Sequence, residues 1–336
     1  MTTLADIAKA AGVSPAVVSR LINGDKTLRI SAETRKRVLG LVAQMDYTPN
    51  AAARSLRSSR SGLFALVVHD VSNPVYAEII RGAQRAAAEH NKALLLGDAS
   101  GGTGSTDRVV ELINGGGLDG LILQAQGDAA DRVLANAAKR RIPAVLLQAD
   151  IDEDAHLLSL PDAEAAALAT DHLLDLGHRD IGCLCTTKGL AFSEQRRRGW
   201  QDALKRRGLA PHTDLLIWGP PTLAEGARNA RRLLDRAPDL TAMVCCNVVA
   251  AIGAVGAMQR MGLRVPEDIS VVALHNIEMM EYLNPPMTAV ALPLLELGKA
   301  AVDFLSSDER PAPSRHVVAE PGPRLIIRDS TARMTA

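Results

Sequence analysis

From Leu63 onward the chain repeats one unit: a short apolar run, a few polar residues, then a stretch long enough for a helix of several turns. The runs LFALVV, ALLLG, DGLILQ and AVLLQ form one set, and DIGCLC, DLLIW, AMVCCN and ISVVAL form a second. They are apolar at successive rather than alternate positions, the pattern of strands covered on both faces. Between them, segments near 75–90, 106–115 and 130–140, then near 163–177, 193–207, 223–236 and 248–261, have helical periodicity. Strand–helix alternation implies parallel strands with crossover helices, so two doubly wound α/β lobes are expected. Ligands of such sheets bind beyond the carboxyl ends of the strands, and the cleft between two lobes is the expected site.

The first sixty residues read differently. They carry ten Lys/Arg against four Asp/Glu, which leaves 28 basic and 34 acidic residues of the chain's 38 and 38 for the remainder. A basic head on an acidic body points to a polyanionic partner for the head. In TLADIAKAAGVSPAVVSRLINGD, Thr3 is placed to cap a first helix, with Asp6 in a capping-box relation and Leu4, Ile7, Ala8 and Ala11 on its apolar face. Gly12 ends that helix, and Ser14 caps a second one that has Pro15 at its first position. Val17, Val18, Leu21 and Ile22 form its buried side, leaving Pro15, Ala16, Ser19, Arg20 and Asn23 outside. Two short helices around a glycine-bearing turn are the helix-turn-helix arrangement, and Arg20 is the long donor suited to a guanine edge. A third helix is expected from Ser31 through SAETRKRVLGLVAQM. A three-helix protein-interaction domain is the competing interpretation, which the charge split disfavours.

Between head and body lies NAAARSLRSSRSG, residues 50–62. It is too alanine-rich for a flexible spacer and too short for an independently stable helix, with Ala52, Ala53 and Leu56 on one face. These residues complete a pattern. With TLADIAKAAGVSPAVVSRLIN, ISAETRKRV, YTPNAAARSL, NPVYAEIIRGAQRAA and PPMTAV in that order, the chain resembles the lactose-repressor/galactose-repressor (LacI/GalR) family of bacterial transcription regulators. The resemblance covers essentially the whole chain.

What the resemblance implies is specific. The segment after the third helix is a hinge helix that forms on operator DNA, with Asn50 at its start and Ala53 small enough for two copies to approach. Leu56 is then the wedge that opens a central base step, and Arg54 and Arg57 bind phosphate. Thr3, Ser14, Ser19, Asn23, Ser31, Thr34 and Tyr47 position the head on the DNA. The loop NGDKTLRISAET is about two residues longer than the family's shortest pattern, and little consequence is expected. The body resembles the periplasmic sugar-binding fold, whose lobes exchange segments. The expected division is 1–48 headpiece, 49–61 hinge, 62–161 with 291–320 as one lobe, 162–290 with 321–330 as the other, and 331–336 as a tail. Partners are operator DNA, a small-molecule effector and a second copy of the chain; six residues after PRLIIRDS are too few for a tetramerisation helix.

For the cleft, Asn73 and Tyr76 follow the first strand, and Arg196 stands in the family's R-x-x-G-aromatic frame with Gly199 and Trp200. Asn247 matches a ligand asparagine of the family. Gln124 and Gln148 end strands, and Tyr76, Phe192 and Trp218 are candidate walls among only eight aromatics. The chain departs from the sugar-binding pattern in having His275 and Asn276 after ISVVAL, Val248 after Asn247, and Gln148 at a strand end, where carboxylates are common. Carboxylates are the usual acceptors for sugar hydroxyls. Their replacement suggests a less hydroxylated or more anionic effector.

The remaining features are quiet. GDASGGTGSTD fits no phosphate-loop pattern, no catalytic constellation stands out, and His178 reads as a turn histidine capping a helix C-terminus. An enzyme is therefore not expected. Cys183, Cys185, Cys245 and Cys246 lie inside apolar runs as small hydrophobes, so neither metal nor cofactor is expected. No apolar stretch follows Met1, which argues against a membrane span or an exported uptake protein and for a bacterial cytoplasmic, nucleoid-associated one.

Overall fold

The computed structural model describes residues 2–22, 24–25, 27–47, 60–100, 103–148, 155–307, 309 and 312–334. Asn23, Asn50, Ala53, Arg54, Leu56 and Arg57, and with them the expected hinge helix, lie outside the described residues. The chain divides into two units, Met1–Ser61 and Gly62–Ala336.

In the first unit, α1 spans Leu4–Ala11, α2 Pro15–Ile22 and α3 Ala32–Gln44. The local reasons are those in the sequence. Thr3 and Asp6 form a reciprocal capping box, and Gly12 closes α1 at φ 64°, a left-handed conformation that suits glycine. Ser14 Oγ accepts from Val17 N, and Ser31 Oγ accepts from Thr34 N to start α3. Ile7, Ala8, Ala11, Val18, Leu21, Leu28 and Val38 make a small buried core. Val17 and Ile22 are only half-buried.

The second unit holds two six-stranded sheets. The first contains β1 (Leu63–Val68), β2 (Ala93–Asp98), β3 (Gly120–Gln124), β4 (Ala144–Leu147), β5 (His156–Ser159) and β11 (Arg315–Val317), in the order β11-β5-β4-β3-β1-β2. The second contains β6 (Ile181–Cys185), β7 (Leu216–Trp218), β8 (Ala242–Cys245), β9 (Ser270–Leu274), β10 (Thr288–Ala291) and β12 (Arg324–Ile326), in the order β12-β10-β9-β8-β6-β7. Every pairing is parallel except β10 with β12. The sheets are burial-driven on both sides, as the apolar runs require. Phe64, Leu66 and Val68 of β1 face one core while Ala65 and Val67 face another.

The helices are α4 (Val75–Glu89), α5 (Thr103–Asn114), α6 (Ala129–Lys139), α7 (Asp162–Asp175), α8 (Ala191–Arg206), α9 (Leu223–Arg236), α10 (Val248–Arg260) and α11 (Leu294–Ser306). The chain crosses between lobes after β5, after β10 and after β11. Thus α7 follows a first-lobe strand but packs on α8 of the second lobe, and α11 follows β10 but packs on α4 of the first. Both packings need a glycine. A Cβ on Gly82 would stand 1.9 Å from Leu295 O, and one on Gly199 would stand 2.0 Å from Ala163 O. After β12, Ser330 Oγ donates to Val271 O, and Ala332 N donates to Ser270 Oγ. The end of the described chain is therefore strapped to the second lobe.

Candidate functional site

Two surfaces follow from this fold, one in each unit. On the head, α2 exposes Pro15, Ala16 and Arg20, with Ser14 exposed before them and Ser19 half-buried. The small residues leave the backbone accessible, and Arg20 projects from the last turn. Its Nε donates to Asp25 Oδ2 at 2.6 Å and its Nη2 to Thr27 Oγ1 at 2.9 Å. Thr3 and Ser31 spend their hydroxyls on helix caps; Thr34 Oγ1 lies 2.8 Å from Ser31 Oγ, and Tyr47 packs on the head core.

In the second unit, strand carboxyl ends from both lobes converge on a cleft of about 550 Å³, measured to its solvent-open mouth. Asn73, Tyr76, Gln124, Gln148, Phe192, Arg196, Asn247 and His275 all line it. Trp218 does not. It ends the edge strand β7, half-buried against the core, and the following loop brings Pro221 to the cleft instead. Thr186 and Thr187 also line the cleft; they follow DIGCLC, so the strand-end rule that picked Gln124 would have found them. Leu160 and Leu294 come from crossing segments whose strands β5 and β10 were not anticipated.

The floor is a hydrogen-bonded network. Asp162, the first residue of α7, accepts from Arg196 Nε at 2.7 Å and from Gln148 Nε2 at 2.9 Å. Gln148 Oε1 accepts from Leu160 N. Arg196 Nη1 donates to Cys246 O at 2.8 Å, and Nη2 donates to His275 Nε2 at 3.2 Å. The guanidinium carbon lies 4.8 Å from the centre of the Phe192 ring. Asp162 and Arg196 are each only 2% exposed, so the pair is sequestered from water. Sequence reasoning assigned Arg196 to the effector but not Asp162, which gives Arg196 a buried counter-charge.

His275 sits at φ 69° just after β9, and Gln148 at φ 61° just after β4. These left-handed backbones turn both side chains at the strand ends. Burial first, and the Arg196 charge second, hold His275 well below the ordinary histidine range. The imidazole is therefore neutral. Because Nε2 accepts from an arginine that has no lone pair to offer, the proton resides on Nδ1. That Nδ1 is buried without a hydrogen-bond partner among the described residues.

The cleft amides are oriented in the same sense. Asn73 Oδ1 accepts from Val75 N, and Asn247 Oδ1 caps α10 by accepting from Val249 N. Gln124 Oε1 accepts from His69 N. The carboxamide oxygens are thus used internally, leaving the NH2 groups of Asn73 and Asn247 and the spare N–H groups of Arg196 as donors. Among the described residues, no carboxylate lines the cleft. Burial and the Asp70 charge push the Tyr76 phenol upward, so it keeps its proton.

Two other sequence readings are resolved here. His178 ties Thr241 Oγ1 to Ala332 O through its two ring nitrogens, rather than capping a helix with its side chain. Cys183, Cys185 and Cys246 bring their sulfurs within 4.8 Å of one another inside the core, and all four cysteines are free thiols. Burial pushes Cys245 up to about 12.

A helix-turn-helix head with an exposed arginine, followed by a two-lobed core whose cleft carries directed polar groups, defines a ligand-responsive DNA-binding regulator. Comparison with known proteins gives the particular family. Residues 3–50 match the model for bacterial regulatory proteins of the lacI family, and residues 170–331 match a periplasmic binding protein-like domain. The chain is 30% identical over 336 residues to the HTH-type transcriptional repressor CytR of Escherichia coli K12, covering 98% of this chain and 96% of CytR. It is 32% identical over 340 residues to the HTH-type transcriptional regulator DegA of Bacillus subtilis 168, covering 98% of each. The structure of the lac repressor dimer bound to operator and the anti-inducer ONPF superposes with a TM-score of 0.84 at 25% identity, covering 98% of this chain and 99% of that one. The chain belongs to the lacI family of bacterial transcription regulators. Among the described residues no helix is long and apolar enough to cross a membrane.

Proposed function

We propose that the chain is a repressor that binds a pseudo-palindromic operator as a homodimer at the nucleoid, and that a small metabolite in the cleft sets its DNA affinity. Arg20 reads the major groove, with Pro15 and Ala16 permitting close approach. Ser14, Ser19, Asn23, Thr34 and Tyr47 contact phosphate, and Leu56 opens the central base step between Ala53-paired hinge segments flanked by Arg54 and Arg57. Support for a dimer on operator comes from the lac repressor complex, and for sugar-like effectors from the CelR–cellobiose complex, at 27% identity and TM-score 0.73.

The single observation that carries the effector reading is the network Gln148–Asp162–Arg196–His275. It joins a first-lobe strand end to second-lobe groups, so a ligand touching it binds open and closed lobes differently, which is all that coupling to DNA requires. Its unspent groups are donors. The matching ligand is a sugar derivative bearing an acceptor-only oxygen, a carbonyl or carboxylate, opposite the Arg196 N–H groups that His275 orients. Calorimetry with a matched series of sugar lactone, sugar acid and alditol tests this. The lactone or acid should bind at least tenfold more tightly than the alditol, and His275→Phe should erase that difference; tighter alditol binding would overturn the assignment. Sequencing of genomic fragments retained by the purified protein should return a two-fold symmetric site.

A further inference from the structure

The head contains a second network that the fold does not need. Asp25 and Thr27 lie in the loop between α2 and α3. Asp25 Oδ1 accepts from Thr27 N at 2.8 Å and from Thr27 Oγ1 at 2.7 Å, while its Oδ2 receives Arg20 Nε. The Thr27 hydroxyl, having given its proton to Asp25, accepts from Arg20 Nη2. Asp25 N donates back to Arg20 O, Leu28 N donates to Asp25 O, and Leu28 is buried in the head core. The loop is therefore anchored at both ends of the contact. Hydrogen bonds from Thr27 and Arg20 hold the Asp25 carboxyl down to about 2, so it is ionised throughout the physiological range.

A guanidinium has two bidentate edges. Nε and Nη2 form one, and both are taken by the loop. Nη1 and the second N–H of Nη2 form the other, which has no partner among the described residues and suits an acceptor pair such as guanine O6 and N7. We propose that Asp25, with Thr27, is a positioning residue that holds Arg20 for end-on recognition of one guanine in each operator half-site. The proposal rests on α2 being the groove-reading helix. An unsupported arginine loses rotamer freedom when it docks, and the loop removes much of that cost before DNA arrives. The contact has little to do with stability: its partners are 46% and 30% exposed, and exposed ion pairs contribute little. It also places a carboxylate beside a polyanion, which penalises binding to non-specific sequence.

The experiment uses the full-length protein and half-site libraries randomised one position at a time, with binding to non-specific DNA measured in parallel over a salt series. Wild type should prefer guanine over adenine at one position, and Arg20→Ala should abolish that preference. Asp25→Ala should reduce it about tenfold while tightening non-specific binding, with the thermal midpoint unchanged. Thr27→Val, which removes the Nη2 acceptor and the hydroxyl bond to Asp25 but keeps the Asp25–Arg20 contact, should fall between wild type and Asp25→Ala and serves as the second variant if Asp25→Ala disturbs the head. If Arg20→Ala leaves every base preference intact, the assignment of Arg20 as the reader fails. If Arg20→Ala abolishes guanine preference while folded Asp25→Ala and Thr27→Val retain the wild-type ratio, the positioning role alone is wrong.

Discussion

The two lobes share one plan and differ in what that plan carries. Each sheet has the same strand order when numbered from its own first strand, and each is completed by a helix entering from the other lobe. Even the crossings repeat: Leu160–Pro161 before α7 corresponds to Leu292–Pro293 before α11, and the two prolines have nearly the same backbone, φ −76° with ψ 59° and 62°. The next residue breaks the likeness. It is Asp162 in one crossing and Leu294 in the other, so the second lobe gains a buried ion pair where the first has an apolar contact. The lesson is that the shared backbone supplies strand ends, and single substitutions at equivalent positions decide which end becomes the polar floor of a site.

The largest expected effect tests that difference. Asp162→Ala leaves Arg196 buried without its counter-charge and should cost about 3–5 kcal/mol in urea unfolding. The double variant Asp162→Leu with Arg196→Met makes the second crossing resemble the first. It should regain most of that stability, since apolar replacement of a whole buried pair is often neutral, while losing effector binding. A single-variant loss below about 1 kcal/mol would mean that the pair is solvated and the comparison misplaced.

The next effect tests the likeness itself. Gly82→Ala and Gly199→Ala each drive a Cβ into the carbonyl of a partner helix at equivalent points of the two lobes. Each should cost about 1–3 kcal/mol, the range of overpacked cores, and the two losses should be similar. Unequal losses measured by thermal unfolding would show that one helix pair yields more readily. A difference between the lobes is already visible: a Cβ on Gly298 of α11 would stand 2.0 Å from Ile79 O, whereas α7 has Ala166 at the corresponding place.

The smallest effect concerns acid. His172, His178 and His275 are all held below the ordinary histidine range, by burial first, and all three belong to the second lobe. An unfolded histidine takes up a proton near pH 6.5 and these folded ones resist it, so the unfolded state binds more protons as pH falls. Stability is full above about pH 6.5 and declines below it, before the carboxylates titrate. Thermal midpoints measured from pH 7.5 to 5.5 should fall, and exchanging the three histidines for glutamine should flatten the decline; an equally steep fall in that variant would place the sensitivity elsewhere.

Much of this was legible in the sequence. The eight apolar runs named as strands are strands, and the segments named between them are helices, because burial on two faces leaves a local signature. The caps of α1, α2 and α3 were readable for the same reason: Thr3, Ser14 and Ser31 bond to amides within three residues. What the residues did not signal were β5, β10, β11 and β12, which begin with His156, Thr288, Arg315 and Arg324 and so lack the continuous apolar run that marked the equally short β4, β7 and β8. The site divides along the same line. Residues just past a named strand, such as Gln124, Gln148 and Asn247, could be placed at the cleft; Asp162 could not, since its partner Arg196 lies 34 positions away and meets it only through the crossing.

By itself, then, the sequence determined the α/β rhythm, the basic head and its turn, and the residues that stand at strand ends. These are contests among neighbours a few residues apart, settled by burial, capping and propensity. Only the tertiary structure decided which donors remain free, that the Arg196 charge is already matched, and that a surface loop holds Arg20. Those outcomes depend on how many partners compete for each polar group, and that number is set when distant segments are brought together.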